Sequence, residues 1–144
     1  MIDEFCFDTT ILVYAYDESY RAEREACKKL VGMVFNGELR GVVTNQILAE
    51  LFNVLTKKIE KPLDIETSEI IVNSLIESDN WKKINYSHET VRKAIATAKK
   101  SKAHFWDCLI AETMKDNGVE NLYTENEKDF RKIHGITLTN PVRK

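Results

Sequence analysis

Short apolar runs alternate along this chain with longer segments whose apolar residues recur at helical spacing. Phe5-Cys6-Phe7 reads as a brief buried strand, and the apolar stretch after Thr9 reads as a turn or two of helix through Tyr16. Arg21 to Phe35 predicts a helix with Ala26, Leu30 and Val34 on its apolar face, stopped by Asn36-Gly37. Gly41 to Thr44 is a second strand. Asn45 is placed to cap a helix from Gln46 to about Ile59, which must end before Pro62.

A helix over 64–78 follows, with Asp64 as its cap and Ile65, Ile71, Val72, Leu75 and Ile76 available for burial. Trp81 to Tyr86 alternates like a strand. Ser87 then caps a helix from His88 to Lys100, and another runs from His104 to Lys115 before Asn117-Gly118. Leu122 to Thr124 and Ile136 to Leu138 read as short closing strands. Strands separated by one or two helices pair in parallel, because parallel neighbours need crossover connections. The expected architecture is therefore α/β, a three-layer α/β/α sandwich around a short, mainly parallel sheet. In such sheets ligands bind beyond the carboxyl ends of the strands.

Composition narrows the picture. The 144 residues fit one domain, 1–144, able to bury roughly two-thirds of its unfolded surface. No linker or repeat appears, and the five glycines and two prolines punctuate rather than cluster. Apolar residues at 43% and charged residues at 31% match a globular chain, and no apolar stretch approaches the length that spans a bilayer. The first residues lack a basic-then-apolar leader, so a cytoplasmic location with no membrane contact is expected. Cys6, Cys27 and Cys108 lack metal-ligand spacing and read as small buried hydrophobes. A formal net charge of −2 excludes a whole-protein basic field, so any phosphate-binding surface must be local.

The candidate chemistry lies in acids set among apolar residues. Asp8 interrupts two buried runs at a strand end, where it could equally cap the following helix. Glu50 falls beside Ile47 and Val54, at the border of an apolar stripe; its stem could also lie along that surface with the head in water. Asp107 shares a face with Ile110, Ala111 and Met114 near the start of a helix, where a buried charge is costly unless paired or capping that helix. After Thr124 comes a polar cluster, Glu125, Asn126, Glu127 and Asp129, which alone would be a solvated turn with Asn126 capping. If these acids converge, a cation must neutralise them, and an oxygen-only set suits Mg²⁺ or Mn²⁺. Lys99, Lys100 and Lys102 form a basic run before Asp107; they suit a helix carboxyl end and, if Asp107 belongs to a site, are placed to meet a phosphate backbone.

Taken in order, FCFDTTILVYAYD, Glu50 within NQILAELFNVL, FWDCLIAETM and LYTEN resemble the PIN-domain family over nearly the whole chain. In size the chain is similar to stand-alone PIN proteins of bacteria and archaea, many of them toxins of VapBC-type toxin–antitoxin pairs. The resemblance implies a Rossmann-like fold, Mg²⁺- or Mn²⁺-dependent endoribonuclease activity on single-stranded RNA, homodimers and a small antitoxin partner. It implies that Asp8, Glu50 and Asp107 are the metal-binding acids, that Thr9 and Thr124 shape the site, and that Asn126 stands at the catalytic position of the family's fourth Asp. An amide there brings no charge, which also leaves open a PIN-like module that binds RNA or a protein without cutting. Lys99, Lys100 and Lys102 would meet the RNA.

Overall fold

A computed structural model of the chain describes residues 2–143. Its elements run β1 (Glu4–Phe7), α1 (Thr9–Tyr16), α2 (Arg21–Phe35), β2 (Arg40–Thr44), α3 (Asn45–Lys57), α4 (Ile65–Glu77) and β3 (Trp81–Ile84). They continue with α5 (His88–Ser101), α6 (Phe105–Asp116), β4 (Asn121–Tyr123), α7 (Glu127–Phe130) and β5 (Thr137–Thr139). The strands form one sheet in the order β3-β2-β1-β4-β5, and every neighbouring pair is parallel. The sheet is thus wholly parallel where the sequence predicts a mainly parallel one. Right-handed crossovers put α1 to α4 over one face and α5 with α6 over the other, the expected three layers.

Burial on both faces explains the apolar centres of β1, β2 and β4, whereas the edge strands β3 and β5 carry Lys82, Lys83, Thr137 and Thr139. Cys6, Phe7, Val42, Val43 and Leu122 are all sealed from solvent. One face is an aromatic layer: Phe5 stacks on Tyr123 at 4.6 Å, and Phe7 meets both Tyr123 and Trp81 edge-on. Gly41 pairs directly with Trp81 across the β2–β3 ladder, and a Cβ built on Gly41 would fall inside the indole. The glycine is therefore the gap into which the largest core side chain fits.

Several local expectations shift by a residue or a role. Thr44, not Asn45, caps α3: its hydroxyl accepts from the Ile47 N–H at 3.0 Å. The cap residue is thus also the last residue of β2, and Asn45 is the first residue of the helix. The buried stripe of α2 is Cys27, Val31 and Val34, with Ala26 and Leu30 half-buried beside it. On α4 only Ser68 and Leu75 are buried, while Ile65 and Ile76 stand exposed, because this helix crosses the outer side of α3 and the end of β3. β3 stops at Ile84, so Asn85 and Tyr86 belong to the following loop. β4 and β5 begin and end one residue away from their expected bounds. Asp64 and Ser87 cap α4 and α5 as expected, Ser87 in a capping box with Thr90.

Strand order has a direct consequence for function. The connection leaving β1 runs to β2 on one side, whereas the connection leaving β4 runs to β5 on the other. A crevice opens where the chain paths diverge, beyond the carboxyl ends of β1 and β4. Asp8 follows β1 and Thr124 follows β4.

The Gly41 gap makes a direct prediction. Gly41→Ala forces the Trp81 ring out of its layer and destabilises the fold by about 1–3 kcal/mol, read as a lower urea midpoint with an unchanged slope. Gly37→Ala, on a turn with positive φ and no neighbour near its Cβ position, strains only its own backbone and leaves Trp81 emission as in the parent.

Candidate functional site

Asp8 sits at the divergence point and is held by both neighbours. Its backbone N–H donates to the Tyr123 carbonyl at 3.0 Å. Its Oδ1 accepts from the Thr9 N–H at 2.9 Å, and its Oδ2 accepts from the Thr124 hydroxyl at 2.8 Å. The capping and site readings of Asp8 therefore coexist: one oxygen caps α1 and the other is tied to the end of β4. Burial pushes the Asp8 carboxyl above the usual range, the Thr124 and Thr9 bonds pull it partly back, and the Glu50 charge raises it further. Thr9 itself is buried, and its hydroxyl has no partner among the described residues.

Glu50 projects from the second turn of α3, exposed, with the Gln46 amide donating to its Oε1 at 2.8 Å. Its stripe neighbours Ile47 and Leu51 are fully buried, so the carboxylate leaves the core beside them. Asp107 lies in the first turn of α6, two residues after Phe105 opens that helix. The capping alternative for Asp107 fails, because His104 occupies the cap position and Asp107 donates its own N–H to the His104 carbonyl at 3.1 Å. Ile110, Ala111 and Met114 are buried on the same helix, as its spacing predicts. Burial, then the charges of Asp8 and Asp129, push Asp107 up to about 6, with Glu50 adding and His104 opposing. Asp8, Glu50 and Asp107, taken from three separate elements, thus feel one another's charge.

The polar cluster after β4 divides. Asn126 does not cap α7 with its side chain. Its amide instead donates to Asp107 Oδ2 at 2.7 Å and more weakly to Asp129 Oδ2 at 3.4 Å, while its backbone N–H bonds the Thr124 hydroxyl at 3.0 Å. Glu125 turns away to accept the Tyr14 hydroxyl at 2.9 Å, and Glu127 pairs with Arg131, Asn140 and Arg143. The additional acid beside Asp107 is therefore Asp129, which sequence reasoning passed over as part of a solvated turn. Its only sequence signal was its place one helical turn after Asn126.

Glu50 and Asp107 also edge an open cleft between the starts of α3 and α6. Lys99, Lys100 and Lys102 are all exposed at the end of α5, where Lys102 takes a left-handed conformation. Lys100 lines a second basin with Lys115, Lys132 and His134.

All the converging groups are carboxylates and amides, a donor set whose chemistry fits a hard divalent cation. Asp8, Glu50 and Asp107 have no ion-pair partner among the described residues, whereas Asp129 pairs with Lys132 at 3.5 Å. As they stand, no three His, Cys, Asp or Glu side chains among the described residues are gathered closely enough to hold one. Gln46 and Asn126 each engage one oxygen, Glu50 Oε1 and Asp107 Oδ2, which leaves the second oxygen of each carboxylate without an amide partner.

No helix among the described residues is long and apolar enough to cross a membrane. A search of the curated proteins finds no match. Solved structures share the fold throughout. VapC20 of Mycobacterium tuberculosis, described as a toxin that cleaves the sarcin-ricin loop, aligns with a TM-score of 0.69 at 12% identity, covering 88% of this chain and 93% of that one. VapBC2 of Rickettsia felis, solved on a DNA fragment from its promoter, aligns at 0.66 and 19% identity, covering 95% and 98%. A toxin–antitoxin complex of Klebsiella pneumoniae aligns at 0.64 and 20% identity, covering 94% and 96%. The family model of the PIN domain matches residues 5–136, and with that match the chain belongs to the PIN-domain family.

Proposed function

We propose that this protein is a divalent-metal-dependent endoribonuclease that hydrolyses phosphodiester bonds of single-stranded RNA, acting as the toxin of a toxin–antitoxin pair. The observation that carries the reading is the mutual charge repulsion of Asp8, Glu50 and Asp107 at the strand-order divergence of a PIN fold. The toxin assignment is supported by neighbours of that description across the whole chain. It carries with it a homodimer, a small antitoxin partner and a cytoplasmic setting, each testable apart from the chemistry.

In this reading Asp8, Glu50 and Asp107 hold Mg²⁺ or Mn²⁺. The ion supplies an activated water at neutral pH and charge neutralisation at the phosphate. The chain's own residues do the positioning. Thr124 fixes the Asp8 carboxylate against the end of β4, and the Thr9 amide fixes its other oxygen. Thr9 is itself buried beside the acid. Asn126 aligns Asp107 and adds no charge, so a second ion would be held weakly. Lys99, Lys100 and Lys102 at the end of α5 attract the RNA backbone. No side-chain nucleophile is needed.

A second reading has one observation in its favour: the Asn126 amide sits on Asp107 Oδ2, where a fourth acid would leave that oxygen free for metal. A PIN module that binds RNA or a protein partner without cutting would tolerate this. Incubating an unstructured RNA with Mn²⁺, then with chelator, separates the two. Cleavage that stops on chelation supports the nuclease, and metal-indifferent binding without cleavage supports the module.

Three outcomes are expected of the nuclease. Asp8→Asn and Asp107→Asn each reduce cleavage to about 1% or less with an unchanged far-UV circular dichroism spectrum; metal-dependent turnover surviving in either refutes the assignment.

The pH dependence follows from the elevated Asp107 carboxyl. Because its folded value of about 6 exceeds the unfolded value, the neutral form stabilises the fold below about pH 4, and this stability is lost as pH rises to about 6. In chelator, Asp107→Asn therefore melts about 2–6 °C above the parent at pH 7.5 and converges with it near pH 4; added Mn²⁺ raises the melting point of the parent alone.

Asn126→Asp places a third carboxylate against Asp107 and Asp129. It raises Mn²⁺ affinity by about tenfold or more in calorimetry and lowers the melting temperature in chelator; unchanged affinity would remove Asn126 from the site.

A further inference from the structure

The cleft edged by Glu50 and Asp107 is larger than a metal site needs, at about 740 Å³. Its walls come from the first turns of α3, the loop after β3 and the start of α6. None of its lining residues is a lysine or arginine. Beyond the acidic edge, where Glu50 and Asp107 would hold the divalent ion of the nuclease reading, no lysine or arginine is placed to meet a phosphate, so that part of the cleft is poorly suited to the RNA backbone.

Its other features suit a flat, neutral ring. Trp106 lines it and is 52% exposed, unusual for an indole, and Tyr86 lines it at 37%. The Phe105 ring packs edge-on against Trp106 at 5.3 Å and fixes its plane without covering it. Three amides, Asn45, Gln46 and Asn85, together with Ala49 and the His104 imidazole, complete the lining. Gln46 spends one N–H on Glu50 and keeps its carbonyl oxygen. The side-chain amides of Asn45 and Asn85 bond no described residue; only the backbone carbonyl of Asn85 is engaged, by Asn117. An amide offers a donor and an acceptor side by side, the complement of a nucleobase edge. Exposed aromatic faces beside such amides are the elements by which unstacked bases are held.

We propose that this cleft is a nucleobase subsite, in which one unstacked base of single-stranded RNA stacks on Trp106, with Tyr86 as the second wall and Asn45, Gln46 and Asn85 at its edge. The placement of that base next to the scissile phosphate rests on the nuclease reading above, since Glu50 and Asp107 belong to both the cleft and the acidic centre. The subsite makes binding depend on the presence of a base at one position of the strand.

The test is made with metal chelated, so that no cleavage is needed. Trp81 is 1% exposed, which leaves Trp106 as the accessible one of the two tryptophans. A short single-stranded ribo-oligonucleotide should quench the fluorescence, and the same oligonucleotide with one abasic position should quench less at one register. Binding followed by anisotropy should weaken about 5- to 100-fold in Trp106→Ala and remain near the parent value in Trp106→Phe, which keeps a stacking face. An abasic oligonucleotide that binds as tightly as the intact one at every register, or parental binding in both Trp106→Ala and Tyr86→Ala, overturns the subsite. Failure of the two ideas is distinguishable. Base-dependent quenching with no Mn²⁺-dependent cleavage sinks the nuclease and keeps the subsite, whereas Mn²⁺-dependent cleavage that ignores Trp106, Tyr86 and abasic substitution keeps the nuclease and sinks the subsite.

Discussion

Burial of carboxylates at the carboxyl edge of a parallel sheet, with their mutual repulsion added to it, is the constraint on which the candidate site depends. Asp8 is sunk between β1 and β4, where its charge is poorly hydrated, and the charges of Glu50 and Asp107 reach it and each other. A fold has no stability reason to gather such groups, since burying unpaired charge costs several kcal/mol. The Thr124 hydroxyl and the Thr9 amide lessen that cost for Asp8, and the Asn126 amide lessens it for Asp107. What remains is a pair of carboxyls, Asp8 and Asp107, held above their usual range chiefly by burial.

The rest of the structure supplies the rigidity that keeps the acids together. An all-parallel sheet covered on both faces fixes the ends of β1 and β4 side by side, and the aromatic layer of Phe5, Phe7, Trp81 and Tyr123 lies directly beneath them. Gly41 gives Trp81 its place in that layer. Helix starts then carry the chemistry outward. Because Thr44 caps α3 from the end of β2, Asn45 is left with an unused amide at the cleft and Glu50 emerges one turn later. Because His104 opens α6 without a side-chain cap, Asp107 falls in its first turn, close to Asp8. Metal chemistry and base recognition would thus share two residues, Glu50 and Asp107, while drawing on different parts of the surface.

Much of this was legible in the residues themselves. Apolar runs such as FCF and GVV announced strands buried on both faces, helix-length spacers between them required parallel pairing, and the order of the acids carried the family resemblance. The misjudged details were those in which two local solutions are nearly equal in energy. Thr44 and Asn45 are both good caps, and only the end of the β2 ladder chose between them. Ile65 and Ile76 have the composition of core residues, yet α4 lies too far out on α3 to bury them. Asp129 and Asn126 looked like an ordinary polar turn because nothing local distinguishes a solvated carboxylate from one facing Asp107.

The sequence by itself determined the layer architecture and the parallel pairing and singled out Asp8, Glu50 and Asp107 as candidates, because periodicity, crossover length and strand-end placement are properties of short stretches of chain. Only the tertiary structure decided which oxygens face one another, that Asn126 rather than a cap partner holds Asp107, and that Tyr86 and Trp106 wall a cleft free of lysine and arginine. Those facts depend on how β1, β4, α3 and α6 meet, and contacts between residues separated by most of the chain are set by packing of the whole core.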